Sequence, residues 1–322
     1  NMQPMPLKKR RFYFYVLSLV FFLAIPVLIF YESGYRLGDS FNFVKTGGIY
    51  IYSPESGSEI YLNGDKIEET GFFLKDFFVD DLKPGKYSVL ISKEKFWPWA
   101  KNVTIKEGMV AEAIAFLIPK DPEGETVPKN IEEANPAETE TSGKTATTKK
   151  KPEANPEYLR ILSLFEEEKI NKEKVVKSNT LAKNPADESP ATSSPEKTEE
   201  YIYEKVSPRG KVGLWREGNQ ILAKWLKSDR SLPYYFCEGN NENCREIIAI
   251  FNSASVVRSL DFYPGRDDVV VIAVENGIFA IEIDSRKTQN FQPIYKGVDP
   301  YFIIDGNTFY VKDKDAIIKI KI

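Results

Sequence analysis

Residues 47–64 read GGIYIYSPESGSEIYLNG, and this stretch decides the fold. Ile49 and Ile51 alternate with Tyr50 and Tyr52 at the period of two that sends successive side chains to opposite faces of a strand. Pro54 and Gly57 break the run, Ile60 and Leu62 resume it, and Asn63-Gly64 is a strong two-residue hairpin signal. Lys83-Pro84-Gly85 makes a second turn. KYSVLIS then aligns Tyr87, Val89 and Ile91 on one face, and NVTIK and AEAIAFLI follow on either side of Gly108. Five or six short strands in about 70 residues predict a small β-sandwich over 46–118.

Within that span Ser53, Pro54, Glu55, Ser56 and Gly57, then Ile60, Leu62, Asn63 and Gly64, and later LKPGKYSV from Leu82 to Val89, resemble a PEGA domain. The resemblance implies a small extracytoplasmic β-sandwich of the kind found in bacterial and archaeal envelope proteins. Ser56 interrupts the family's Pro-Glu-Gly-Ala motif, Gly71 follows Thr70 where proline is usual, and Phe96, Trp97 and Trp99 replace a usual Gly-Tyr. The turn residues read as scaffold, since Gly64 and Gly85 supply positive φ and Pro84 presets a turn.

Upstream, Lys8, Lys9, Arg10 and Arg11 stand directly before an apolar run from Phe12 to Tyr31. About 20 apolar residues at 1.5 Å each cross a hydrocarbon core of roughly 30 Å. The basic cluster lies only on the amino-terminal side, which places residues 1–11 in the cytoplasm and the bulk of the chain outside a cell membrane. The competing reading is a cleaved signal peptide. Its apolar region is usually about 7 to 15 residues and ends at a small-x-small site, which Phe30-Tyr31-Glu32 does not supply. Pro26 is tolerated in a spanning helix. With 28% charged residues and a net charge of −3, the chain lacks the basic face of a nucleic-acid binder, so the expected partner of residues 12–31 is the lipid bilayer.

From Pro119 the aromatics vanish, and Glu, Thr, Lys and Pro dominate. Residues 119–200 are expected to be a flexible linker carrying a short helix over about 157–168 through Leu159, Leu162 and Phe165, with the option that this helix docks on the last domain. From Tyr201 to Ile322 strands resume, with turns expected at Gly218-Asn219, Asn276-Gly277 and Gly306-Asn307. This region loosely resembles β-propeller blades, but a closed propeller needs at least four blades of about 40 residues. A propeller-like partial array or a β-meander is expected instead. Overall the chain reads as mainly β.

The chain has no histidine, which removes histidine-based triads and most transition-metal sites, so no cofactor is expected. Cys237 and Cys244 flank Gly239, Asn240 and Asn241 between strand-like segments. Outside the cytoplasm a disulfide is favoured there over free thiols or zinc. Acid pairs at Asp80-Asp81, Asp267-Asp268 and Asp313-x-Asp315 suit turns better than a two-carboxylate hydrolase, and the last lacks the ligand spacing of a calcium loop. Two aromatic clusters, Phe96, Trp97 and Trp99, and Tyr234, Tyr235 and Phe236, are candidates for stacking on sugars or anchoring a protein, with packing as the plainer explanation. The sequence thus leads to a non-enzymatic, membrane-anchored envelope protein that binds or scaffolds an unidentified envelope protein or polysaccharide. A carboxylate-dependent hydrolase acting on cell-wall glycan is the alternative.

Overall fold

A computed structural model describes residues 6–38, 42–130, 153–182, 202–228, 232–238, 243–284, 286 and 288–321. It divides into two compact units, one formed by Asn1–Ser92 with Ala100–Phe116 and the other by Lys93–Trp99 with Leu117–Ile322.

The first unit opens with helix α1, Leu7–Glu32, in which no residue is buried and Pro26 is accommodated. At 1.5 Å per residue its 26 residues extend about 39 Å. A short antiparallel pair, Tyr35–Leu37 with Phe43–Lys45, follows. The sandwich proper sets a three-stranded sheet, in which Gly47–Tyr52 lies between Asp76–Leu82 and Val110–Ile114, against a four-stranded one. The latter runs in the order Asp65–Glu69, Glu59–Leu62, Gly85–Ser92, Trp99–Ile105. The alternation read from the sequence is the one observed: Ile49, Ile51, Ile60, Val89, Ile91, Val103 and Ala113 are fully buried. Asn63 and Gly64 both take positive φ, as a type I′ hairpin turn requires.

The end of α1 is clamped to this sandwich. Thr46 donates its backbone N–H and its hydroxyl to the Gly34 carbonyl, each at 2.8 Å. The Arg36 guanidinium lies 3.6 Å over the Tyr31 ring, donates to the Tyr31 carbonyl at 2.6 Å and pairs with Asp81 at 2.6 Å. Asp81 sits at a bulge in Asp76–Leu82 with φ of +57°, a conformation Asp tolerates better than most residues.

Among the described residues the second unit holds three separate four-stranded antiparallel sheets and no closed propeller. The first orders Lys205–Val206, Val212–Glu217, Gln220–Trp225 and Ile247–Asn252, and the second Ser259–Phe262, Val269–Val274, Gly277–Glu282 and Phe291–Lys296. In the third, Tyr301–Asp305, Thr308–Asp313 and Ala316–Ile320 are completed at the edge by Gly124–Thr126. Ser259–Phe262 packs beside both Lys205–Val206 and Tyr301–Asp305, which brings the opening strands of the three sheets together. Val269–Val274 is buried at every position, the pattern of a strand covered on both faces. The middle hairpin turns one residue earlier than expected, on Glu275-Asn276, because Val274 pairs with Gly277. A side chain on Gly277 would put its Cβ 2.4 Å from the Tyr295 carbonyl, so glycine serves close strand approach there rather than the turn.

The reading of 119–200 as a tether gives way at two places. Gly124–Thr126 pairs with the C-terminal strand, and helix α2 runs over Pro156–Ala182, well past the expected 157–168. The physical cause is apolar burial: Ile161 and Phe165 on α2 enclose a core with Val127, Ile303, Tyr310 and Ile317. Within the expected linker, residues 131–152 and 183–200 lie outside the described residues.

Candidate functional site

Helix α2 packs on the edge strand Tyr301–Asp305 of the third sheet, and a cleft of about 500 Å³ opens beside it, bounded by α2, the starts of Ser259–Phe262 and Tyr301–Asp305, and the last hairpin. The helix points Phe165 inward, and Val298, Tyr301 and Phe302 continue the apolar wall. Cations surround it: Lys169 and Lys172 from α2, Arg216, Arg258, and Lys312 and Lys314 from the last hairpin.

Two of these cations are structural. Arg216 is buried against Glu204, its Nε 2.9 Å from both carboxylate oxygens, and it also donates to the Val257 carbonyl. Arg258 pairs with Asp299. Its Nε is buried without a hydrogen-bond partner among the described residues. Lys172 rests its ammonium on the Val257 and Arg258 carbonyls at 3.2 and 3.1 Å. Burial, with Arg216 next in effect, pushes Lys172 down to about 8. Of the acids lining the cleft, Glu168 is 2.9 Å from Lys205, which Asp261 also holds at 3.0 Å. The two carboxylates outweigh the burial of Lys205 and raise it. The cleft is therefore a partly apolar cavity with a surplus of donors and positive charge.

The aromatic candidates have other positions. Trp99 is 1% exposed, and its indole N–H donates to the buried Glu282, so its ring is core rather than surface. The Trp97 backbone N–H donates to the Ile118 carbonyl, and Lys120 lies 5.7 Å over its ring; Phe96 carries Lys93 at 4.5 Å. Tyr234–Phe236 forms one 3₁₀ turn. Phe236 is buried, Tyr235 and Phe236 pack on Trp225, and Arg286 lies 4.4 Å over Tyr234. None of the six lines the cleft. Cys237 and Cys244 pair across a short antiparallel ladder and are joined as a disulfide. Lys8, Lys9, Arg10 and Arg11 form the exposed first turns of α1.

Members of each acid pair serve local structure. Asp81 holds Arg36, Asp267 accepts from the Arg209 N–H at 3.2 Å, and Asp268 pairs with Arg266 at 2.7 Å. Asp313 accepts from the Tyr295 hydroxyl at 2.9 Å, and Asp315 lies in the tight turn that pairs Asp313 with Ala316. Burial, followed by this carboxylate, pushes Tyr295 up to about 12. The sequence reading missed the cleft, since its residues come from five separated segments. It also passed over Phe72, Phe73 and Leu74, three consecutive exposed apolar side chains in the loop at the opposite end of Asp76–Leu82 from the Arg36–Asp81 clamp.

Residues 46–119 match the family model of the PEGA domain. No curated protein matches the chain. The matched span ends within the second unit, which takes Lys93–Trp99 and everything from Leu117. A PEGA match following an apolar, unburied helix fits a membrane-anchored extracytoplasmic protein.

Proposed function

We propose that the protein is a single-pass envelope protein with Lys8–Arg11 in the cytoplasm, α1 in the bilayer, and both compact units outside, where the second binds a protein or polysaccharide partner without chemical conversion. The observation that carries the anchor is α1 itself, an apolar helix long enough to span and without a single buried residue. A core helix of a soluble fold would bury a face. Its end is fastened to the sandwich by Arg36 and Thr46, the arrangement expected where an uncleaved helix and the domain after it act as one body. The disulfide suits an oxidising location. The cleft beside α2 supports binding, and the engagement of the expected acids in ion pairs and turns supports a role without hydrolysis.

Protease added outside intact cells should degrade both units while leaving a membrane-embedded amino-terminal fragment. Recovery of the full-length protein from a detergent-free soluble fraction would refute the anchor. Capture of the purified protein on envelope material, with and without its glycans stripped, tests the binding half: no retention on either refutes it, and survival of stripping selects a protein partner.

A further inference from the structure

We propose that the cleft beside α2 binds an acidic peptide segment, seating its carboxylates on Lys169, Lys172, Lys312 and Lys314 and its apolar side chains on Phe165, Tyr301 and Phe302. This rests on the binding reading above and names its ligand class. At about 500 Å³ the cleft falls within the roughly 300 to 1,000 Å³ of sites that enclose a small ligand. Its charge is unbalanced. Asp299 is committed to Arg258 and Glu168 to Lys205, which leaves Glu166 facing four lysines that carry no ion pair among the described residues.

The same inventory favours a peptide over a sugar polymer. Sugar hydroxyls need acceptors as well as donors, whereas apart from Glu166 the uncommitted charged groups of this cleft are donors. Aliphatic and aromatic residues between carboxylates suit the wall of Phe165, Val298 and Phe302, whose side chains carry no polar atom.

Lys172 gives the site a pH signature. The charged groups around it are Arg216 and Arg258, which disfavour its proton, and Glu204 and Glu168, which favour it; its ammonium also touches the carbonyls of residues 257 and 258. A bound carboxylate would hold the proton on. Below pH 8 Lys172 is already charged and affinity is flat. Above it, binding requires proton uptake, and affinity falls by up to about tenfold per pH unit.

The test uses the full chain in detergent micelles with fluorescein-labelled, amidated Glu-Leu-Glu, its Gln-Leu-Gln counterpart and oligogalacturonate, followed by anisotropy. The acidic peptide should bind at least about tenfold tighter than the amide peptide, as charge-assisted contacts predict. Lys169→Gln and Lys314→Gln, both exposed, should each weaken binding by about threefold. Lys172→Met should weaken it about tenfold and abolish the decline above pH 8. Equal binding of the two peptides, no binding of either, or a Lys172→Met variant with wild-type affinity and pH profile would overturn the assignment. Tighter binding of oligogalacturonate would overturn the peptide class. Retention on envelope material without peptide binding removes only this inference, while loss of both removes the binding reading too.

Discussion

Ile161→Ala tests whether α2 is part of the second unit or a passenger on a tether. Ile161 is fully buried among Val127, Phe165, Ile303, Tyr310 and Ile317. The substitution removes three carbons, worth roughly 2.4 kcal/mol at about 0.8 kcal/mol each. A residual cavity of about 50 Å³ adds roughly 1 kcal/mol at 24 cal/mol per Å³. Alanine's better helix propensity returns about 0.4 kcal/mol. The net loss is about 3 kcal/mol, a fall in Tm of about 6 to 12 °C for a unit of this size. All four tryptophans, at 97, 99, 215 and 225, belong to the second unit, so tryptophan fluorescence of the full chain in detergent isolates its transition. Leu159→Ala, at an exposed position two residues from Ile161 and so on the other side of the helix, is the control and should shift Tm by less than about 2 °C, as surface changes do. If the two variants melt alike, the helix is not packed as described and the cleft it walls loses its basis.

Two further outcomes concern stability. Thr70→Val should cost the sandwich about 1 to 3 kcal/mol, because the Thr70 hydroxyl accepts from the Ser58 N–H at 2.8 Å and donates to the Glu55 carbonyl at 2.7 Å in a buried network; far-UV circular dichroism reads it, and a change under 0.5 kcal/mol refutes the role. Reducing the Cys237–Cys244 disulfide, which closes a loop of sequence separation 7, should cost about 2 to 3 kcal/mol by the chain-entropy account, seen as a lower Tm with reductant that a Cys237→Ser, Cys244→Ser variant does not show.

Local patterns were legible in the sequence where two neighbours suffice to define them. Alternation at Ile49 and Ile51, and the Asn63-Gly64 turn, follow from backbone geometry alone. So does the apolar run of α1. What escaped depends on partners far along the chain. Thr70 and Gly71 look like a departure from the motif, yet Gly57 donates to the Thr70 carbonyl at 2.7 Å and Ser58 to its hydroxyl, so the Pro-Glu-Ser-Gly loop is held by a residue more than ten positions away. The end of α2 was misjudged because Glu166 to Glu168 and the following lysines weaken the apolar period, whereas the helix is stabilised by Ile161 and Phe165 meeting a sheet from the far C-terminus. Trp99 reads as a surface aromatic until Glu282 is seen to accept its N–H.

The distribution of charge in the second unit bears on catalysis as well as binding. A carboxyl group that acts as a general acid must be kept protonated by burial away from cations. Here several buried and half-buried acids are matched to cations, Glu204 with Arg216, Asp284 with Arg286, Asp268 with Arg266, and Asp261 with Lys205, whereas Asp313 accepts from the Tyr295 hydroxyl and its Oδ1 is buried without a partner among the described residues. Glu282 instead accepts from Trp99 and Asn290. The lysines around the cleft have no such assigned carboxylate among the described residues, apart from Lys205. The fold thus pairs most of its buried acids internally and presents its spare cations at the cavity, the division expected of the anion-binding role proposed above.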